Sequence, residues 1–192
     1  ESALNMTQSL YDIAKAVTST LNFTEVLNTI AQLATQAMNA KACSIRLLDE
    51  ERRQLRIGAA FGLSQEYLAK GPVDLDKSLV DRGALRGKAV AVLDVTKDPG
   101  FPYPEEARNE GIRSVLCVPL SVREKTIGVL RLYTGEVHRF TDEEIEFLSA
   151  LASQGAVAIE NAGTYQRLEE LEQAKSDFVF TVAHELKAPV AA

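Results

Sequence analysis

Two adjacent residues near the end of the chain carry chemistry that is not repeated elsewhere in it. In "DFVFTVAHELKAPVAA", residues 177–192, His184 is followed at once by Glu185, and Pro189 stands five residues beyond the histidine. A neutral imidazole presents one ring nitrogen as a free nucleophile at physiological pH. A neighbouring carboxylate can fix its tautomer and steady the cation formed on attack. Pro189 lacks the N–H that would bond the Glu185 carbonyl, and its ring crowds that oxygen, so a helix passing through here kinks just after the pair. The pattern is a helix-borne nucleophile beside a mechanical weak point.

The other polar residues of interest lie in apolar surroundings. Arg46 in "ACSIRLLD" and Arg131 in "IGVLRLY" each interrupt a strand-like run. Facing a pocket they would bind an anion; otherwise the stem lies along a sheet with its head in water, or pairs with Asp94. The sequence favours the second reading. Cys43 and Cys117 are far apart, with no CxxC pattern and no nearby histidine, so they read as buried apolar residues and not as metal ligands. His138, in "GEVHRF", reads as a solvated turn residue, and no metal site is expected.

These residues must be positioned by elements that the hydrophobic period outlines. Helices are expected over about 4–18 and 24–38, the second with Val26, Leu27, Ile30, Leu33, Ala34 and Ala37 on one face. The period then becomes two. "ACSIRLLD" puts Cys43, Ile45 and Leu47 opposite Ser44 and Arg46, and "QLRIGAAFG" groups Leu55, Ile57, Ala59 and Phe61. With "DEERR" between them they form a hairpin. "SVLCVPL" and "IGVLRLY", around "SVREKT", form a second. Between the hairpins lie a short helix in "SLVDRGALRGK", a lone strand "AVAVLDV", and the proline-rich loop "TKDPGFPYPEEARNEG" with a helical turn or two.

"FTDEEIEFL" is a capping box, with Thr141 as N-cap, Glu144 at N3, and Phe140 stapled to Ile145. No helix breaker follows before Pro189, so one helix of about 70 Å is expected from Asp142 to Ala188. Such a helix pairs with another chain or stands in water. Ile145, Leu148, Ala152, Ile159 and Ala162 keep one heptad phase, and Leu168, Leu171, Phe178 and Val182 another. A register shift is therefore expected between Ala162 and Leu168, where a domain helix becomes a coiled-coil connector.

Composition narrows the class. The chain has 192 residues, 46% hydrophobic and 25% charged, with net charge −6. This describes a soluble globular domain without a nucleic-acid surface, since no basic run exceeds two residues. No run approaches the roughly 20 apolar residues of a membrane span, and no signal peptide is read. The first residue is Glu1, which suggests excision from a longer parent that could be membrane-anchored upstream. The thiols fit a reducing compartment, and the expected location is cytoplasmic.

The order of elements predicts an α+β domain, with one mostly antiparallel sheet and the first and last helices on one face. "AFGLS" (60–64), "VLDVTKDP" (92–99), "EGIRSVLCVPL" (110–120), "IGVLRLY" (127–133) and "FTDEEIEFLSALASQGAVAIENA" (140–162) together resemble the GAF family of small-molecule sensor domains. That resemblance implies a central six-stranded sheet and a ligand pocket formed by Arg46, Phe61, Asp94, Phe101, Tyr103 and Arg131. The ligand is not specified. Neither cysteine lies in a sequence resembling the bilin-attachment or sulfoxide-reductase sites of some GAF relatives, and the cyclic-nucleotide signature has the wrong spacing.

"KSDFVFTVAHELKAP" resembles the phosphoacceptor box of sensor histidine kinases through Phe178, His184, Glu185, Leu186, Lys187 and Pro189. The resemblance implies three parts: a GAF sensor over 1–165, a connector over 166–177, and the start of a dimerisation and histidine-phosphotransfer domain over 178–192. By the same resemblance His184 accepts the γ-phosphoryl group of ATP and passes it to an aspartate of a response-regulator receiver domain. Glu185 acts as base or hydrogen-bond partner. ATP and Mg²⁺ belong to a kinase domain outside this chain, so the chain alone is expected to carry no cofactor and no kinase activity. Relatives often have Thr or Asn where Ala188 stands, which places phosphatase activity in question. The expected assembly is a homodimer through the first and last helices, with no membrane contact within the segment. Two alternatives are a GAF module that binds nothing and only relays dimer geometry, and a thiol-based GAF reductase.

Overall fold

Asn22 starts the first described helix because its side chain accepts the Glu25 N–H at 3.0 Å, satisfying a donor that no helical carbonyl reaches. The computed structural model describes residues 22–187, Arg52 excepted. That helix, α1 (Phe23–Ala37), buries Val26, Leu27, Ile30, Ala31 and Ala34 along one stripe, as the helical period predicts. Then follow β1 (Ala42–Asp49), β2 (Gln54–Phe61), α2 (Gln65–Leu68), β3 (Val73–Asp74), α3 (Leu79–Leu85), β4 (Val90–Val92), α4 (Pro104–Asn109), β5 (Ser114–Val122), β6 (Lys125–Thr134) and α5 (Asp142–Lys187). The predicted helix over 4–18 lies outside the described residues, as do Ala188 and Pro189.

The strands form one six-stranded sheet in the order β3-β2-β1-β6-β5-β4, with every recorded pairing antiparallel. The class is α+β, as expected. Alternation along the central strands divides the interior into two layers. Cys43 and Ile45 of β1, Leu116, Val118 and Leu120 of β5, and Leu130 and Leu132 of β6 pack against α1 and α5. Ala42, Val115, Cys117, Val129 and Tyr133 face the other way, beneath α2, α3 and the loop around Phe101. Each large apolar side chain fully buried in these layers contributes about 1.5–3 kcal/mol. Helix α5 comes so close to α1 at Gly155 that a Cβ there would stand 3.1 Å from Ile30.

β2 departs from its predicted phase. Ile45 pairs with Ala59 but Arg46 pairs with Ile57, so Gly58 is an extra residue in a β-bulge. Strict alternation would group Leu55, Ile57, Ala59 and Phe61. Instead the bulge sends Ala59 into the helix-covered layer and Leu55 into the opposite one. The second hairpin is also tighter than expected. Val122 pairs with Lys125, leaving a two-residue turn in which Arg123 has φ 55°.

The capping box forms as predicted. Thr141 N–H donates to Glu144 Oε2 at 2.8 Å, and Glu144 N–H to Thr141 Oγ1 at 3.2 Å. Phe140 and Ile145 share the helix-side core. From this cap α5 runs unbroken for 46 residues, about 70 Å. Its buried face ends at Ala162. Beyond it the positions that continue the first heptad phase are polar (Gln166, Glu169, Gln173), while Leu168, Leu171 and Phe178 are 56%, 67% and 69% exposed. The phase change is thus also the point where the helix leaves its domain. No helix of the described residues is long and apolar enough to cross a membrane.

Candidate functional site

Antiparallel register brings the two strand arginines together. Ser44 lies opposite Arg131 and Arg46 opposite Val129, so Arg46 and Arg131 are diagonal neighbours on one face, about 7–8 Å apart at Cα. Gly128 permits this closeness, because a Cβ there would collide with the Arg46 carbonyl. Arg46 is 1% exposed and Arg131 0%, which overturns the expectation of charged heads in water. Nor does Arg131 pair with Asp94.

The partner of Arg131 is Asp81, on the first turn of α3. Arg131 Nε donates to Asp81 Oδ1 at 2.9 Å and Nη2 donates to Oδ2. Ser78, the N-cap of α3, donates its hydroxyl to Oδ2 at 2.5 Å, and the Cys117 thiol donates to Oδ1 at 3.7 Å. Burial by itself would raise the Asp81 pKa; attraction to Arg131, hydrogen bonds from Arg131 and Ser78, and the Arg46 charge hold it below the usual carboxylate range. Helix α3 can approach this closely because Gly83 faces Val90, where a Cβ would come within 2.7 Å of the valine methyl.

Arg46, whose charge also acts on Asp81, has no such two-point hydrogen-bonded partner among the described residues. Its Nε and Nη1 are buried without a hydrogen-bond partner, as is Nη1 of Arg131. Over these groups lies a roof from two short segments. Phe101 stacks 5.8 Å from the Arg131 guanidinium. The buried Tyr67 meets Tyr133 edge-to-face with ring centres 6.2 Å apart, and Tyr133 Oη is 2.8 Å from Ser44 Oγ. Lys70 Nζ lies 2.9 Å from the Tyr67 ring centre and 5.2 Å from that of Tyr103. It too is buried without a hydrogen-bond partner. Burial, then the Arg46 and Arg131 charges, push its pKa down to about 6, against a smaller upward pull from Glu106 and Glu110.

The roof is latched. Glu110 accepts the Ser64 N–H at 2.8 Å and the Ser64 hydroxyl, joining the start of α2 to the end of α4. A pocket of about 340 Å³ opens beside this latch, lined by Ser64, Glu66, Tyr67, Glu106, Asn109 and Glu110.

Of the six expected pocket residues, the fold brings Arg46, Arg131, Phe101 and Tyr103 together. Phe61 does not join them. It pairs with Cys43 on the helix-covered side and is 39% exposed, because the Gly58 bulge shifts the end of β2. Asp94 is excluded too. It accepts from Thr96 and Arg113 in the loop after β4, and those bonds, Thr96 first, hold its pKa well below the usual range. Lys70, Tyr67, Asp81, Tyr133 and Ser44 were missed. Only Asp81 left a local trace: Ser78 with an acid three residues on is a helix-start signal.

The thiols lie on opposite faces of the sheet, Cys43 toward the helices and Cys117 toward the arginines. Burial pushes both pKa values well above the ordinary thiol range. This geometry gives a two-thiol reductase no support. His138 pairs through Nε2 with both Glu144 oxygens at 3.0 Å and meets Phe140 edge-on, bracing the start of α5. Among the described residues no group of three or more His, Cys, Asp or Glu could hold a metal ion. His184 and Glu185 are exposed near the far end of α5, a long helix away from the roofed arginines.

The architecture is a six-stranded antiparallel sheet with helices on one face and, on the other, buried arginines under short segments beside a small pocket. The chain belongs to the GAF domain family, which matches residues 20–160. It is 27% identical over 154 residues to a phosphoenolpyruvate-dependent phosphotransferase system protein of Escherichia coli K12, covering 80% of this chain and 21% of that protein. It is 28% identical over 184 residues to an uncharacterised sensor-like histidine kinase of Chloroflexus aurantiacus, covering 93% of this chain and 29% of that protein. The GAF domain of an Acinetobacter phosphoenolpyruvate-protein phosphotransferase superposes with a TM-score of 0.71 at 26% identity, over 82% of this chain and 93% of that one. The chain therefore spans less than a third of the length of these curated relatives.

Proposed function

We propose that this chain is the signal-input segment of a sensor histidine kinase, controlling ATP-dependent phosphorylation of His184 and phosphotransfer to a response-regulator aspartate. The observation that carries this is a single helix with two environments. Its first half is packed in the GAF core, and its last turns present His184 and Glu185 to solvent. The Chloroflexus relative supports the same reading, since its similarity extends over more of the chain than the GAF match alone.

In this mechanism His184 attacks the γ-phosphorus of ATP. The bond to the bridging oxygen breaks, an N–P bond forms, and ADP leaves. The N–P bond is then broken by a carboxylate oxygen of the regulator, which returns the imidazole. Glu185 orients the ring and steadies its charge. ATP and Mg²⁺ are held by a kinase domain elsewhere in a cytoplasmic parent. The exposed stripe of Leu168, Leu171, Phe178 and Val182 pairs with a second copy, and a signal in the GAF domain rotates or shifts this pair.

The test is the parent protein incubated with γ-labelled ATP. Acid-labile label is expected on His184 and absent from His184→Gln; label persisting in that variant overturns the reading. Inserting one residue between Ala162 and Leu168 should change the labelling rate, and indifference to insertion sinks the register mechanism.

A further inference from the structure

Three candidates stand out beyond the histidine: the exposed apolar stripe of α5, the acidic mouth beside the Ser64–Glu110 latch, and the basic side chains near it. The stripe belongs to the dimer already proposed, and the mouth by itself is only an acidic cluster. The basic side chains go further. Arg46 is buried on the pocket face of β1 with Nε and Nη1 unpartnered, and Nη1 of Arg131 and Nζ of Lys70 are likewise unpartnered. Isolated buried charge costs far more than folding can spare unless an opposite charge meets it. Asp81 meets that need for Arg131, but its oxygens already take Arg131, Ser78 and Cys117. Asp81 lies near enough to feel the Arg46 charge, but among the described residues no carboxylate is hydrogen-bonded to Arg46 Nε or Nη1.

We propose that the GAF pocket binds a small carboxylate anion between Arg46, the free Nη1 of Arg131 and Lys70, under the rings of Tyr67 and Phe101. This deepens the sensor reading and rests on it for the consequence of binding, though not for the binding itself. A planar guanidinium fork matches a planar carboxylate, and a wall of rings suits a short carbon skeleton. The roof limits size. Glu66, Glu106 and Glu110 line the neighbouring pocket and disfavour a highly charged polyphosphate more than a small carboxylate. Tyr67, which lines that pocket, lies beside Lys70 on the segment held by the Ser64–Glu110 latch. The groups facing Lys70 are Arg46 from β1, Arg131 from β6, Tyr67 beside it, Tyr103 from the loop, and Glu106 and Glu110 from α4 and its end. An anion among them favours the charged amine, so binding near neutral pH takes up a proton.

The test is calorimetric titration and thermal melting of the 192-residue chain with acetate, pyruvate and succinate, with inorganic phosphate at matched ionic strength. At least one carboxylate is expected to bind saturably and raise the melting temperature with the logarithm of its concentration. Arg46→Met should weaken that binding about 10- to 100-fold, the worth of hydrogen bonds to a charged group, while the unliganded variant melts no lower than the native chain. Absence of saturable carboxylate binding, binding of phosphate alone, or carboxylate binding indifferent to Arg46→Met overturns the proposal. If carboxylates bind but leave His184 labelling in the parent unchanged, the pocket stands and the sensor-kinase coupling fails. If labelling occurs without carboxylate binding, only the pocket proposal fails.

Discussion

Arg131 and Asp81, fifty positions apart in the chain, form a fully buried two-point ion pair between the middle of the sheet and the first turn of α3. That pair locks α3 to the pocket face of the sheet. Asp81→Leu removes the partner and leaves Arg131 charged in the interior, which is expected to cost about 3–5 kcal/mol in urea denaturation. Asp81→Leu with Arg131→Leu should recover most of that loss, since a packed apolar pair is often as stable as a buried ionic one. A double variant no more stable than the single would show that the loss is packing and not charge.

Gly128→Ala tests how Arg46 is seated. A Cβ at this position would meet the Arg46 carbonyl, and backbone on both strands would have to separate. The expected loss is about 1–3 kcal/mol in equilibrium unfolding. A variant as stable as the native chain would mean that β1 and β6 are less closely set.

Lys70 makes stability depend on pH in a defined window. Its folded value, about 6, lies below its ordinary value of about 10.5. Between the two, the unfolded chain holds a proton that the folded chain lacks, so this group makes folding more favourable as pH rises. In Lys70→Met the contribution disappears. Unfolding free energies at pH 6.5 and 9 should show the native chain gaining on the variant at the higher pH, and an equal difference at both would refute the assignment.

Thr141→Ala removes the acceptor for the Glu144 N–H at the start of α5. About 1 kcal/mol should be lost in thermal or urea unfolding. Glu144 is a second contributor there: burial tends to raise its pKa, but bonds from Thr141 and His138 hold it low. Stability from this carboxylate is therefore present above its unfolded value and is lost as acid protonates it. Glu144→Gln should show a smaller loss between pH 6 and pH 3.5 than the native chain.

Local pattern determined much of this protein. The stripe of α1, the two hairpins, the capping box at Thr141 and the long helix to Lys187 are properties of neighbouring residues, because a helical or strand period lets a few side chains declare which face is buried. The role proposed for His184 and Glu185 rests on the same kind of local pattern, spelled in consecutive residues. The pocket was only half legible. Arg46 and Arg131 announce themselves as charges within apolar strands, but whether each reaches water depends on what covers that face. Lys70 and Tyr67 come from a four-residue helix and the turn after it, with no period to betray them. A single extra residue, Gly58, moved Phe61 to the wrong side, and a partner fifty residues away replaced Asp94. Tertiary structure decided these points because burial, and with it the need for a counter-charge, is set by packing between elements distant in the chain.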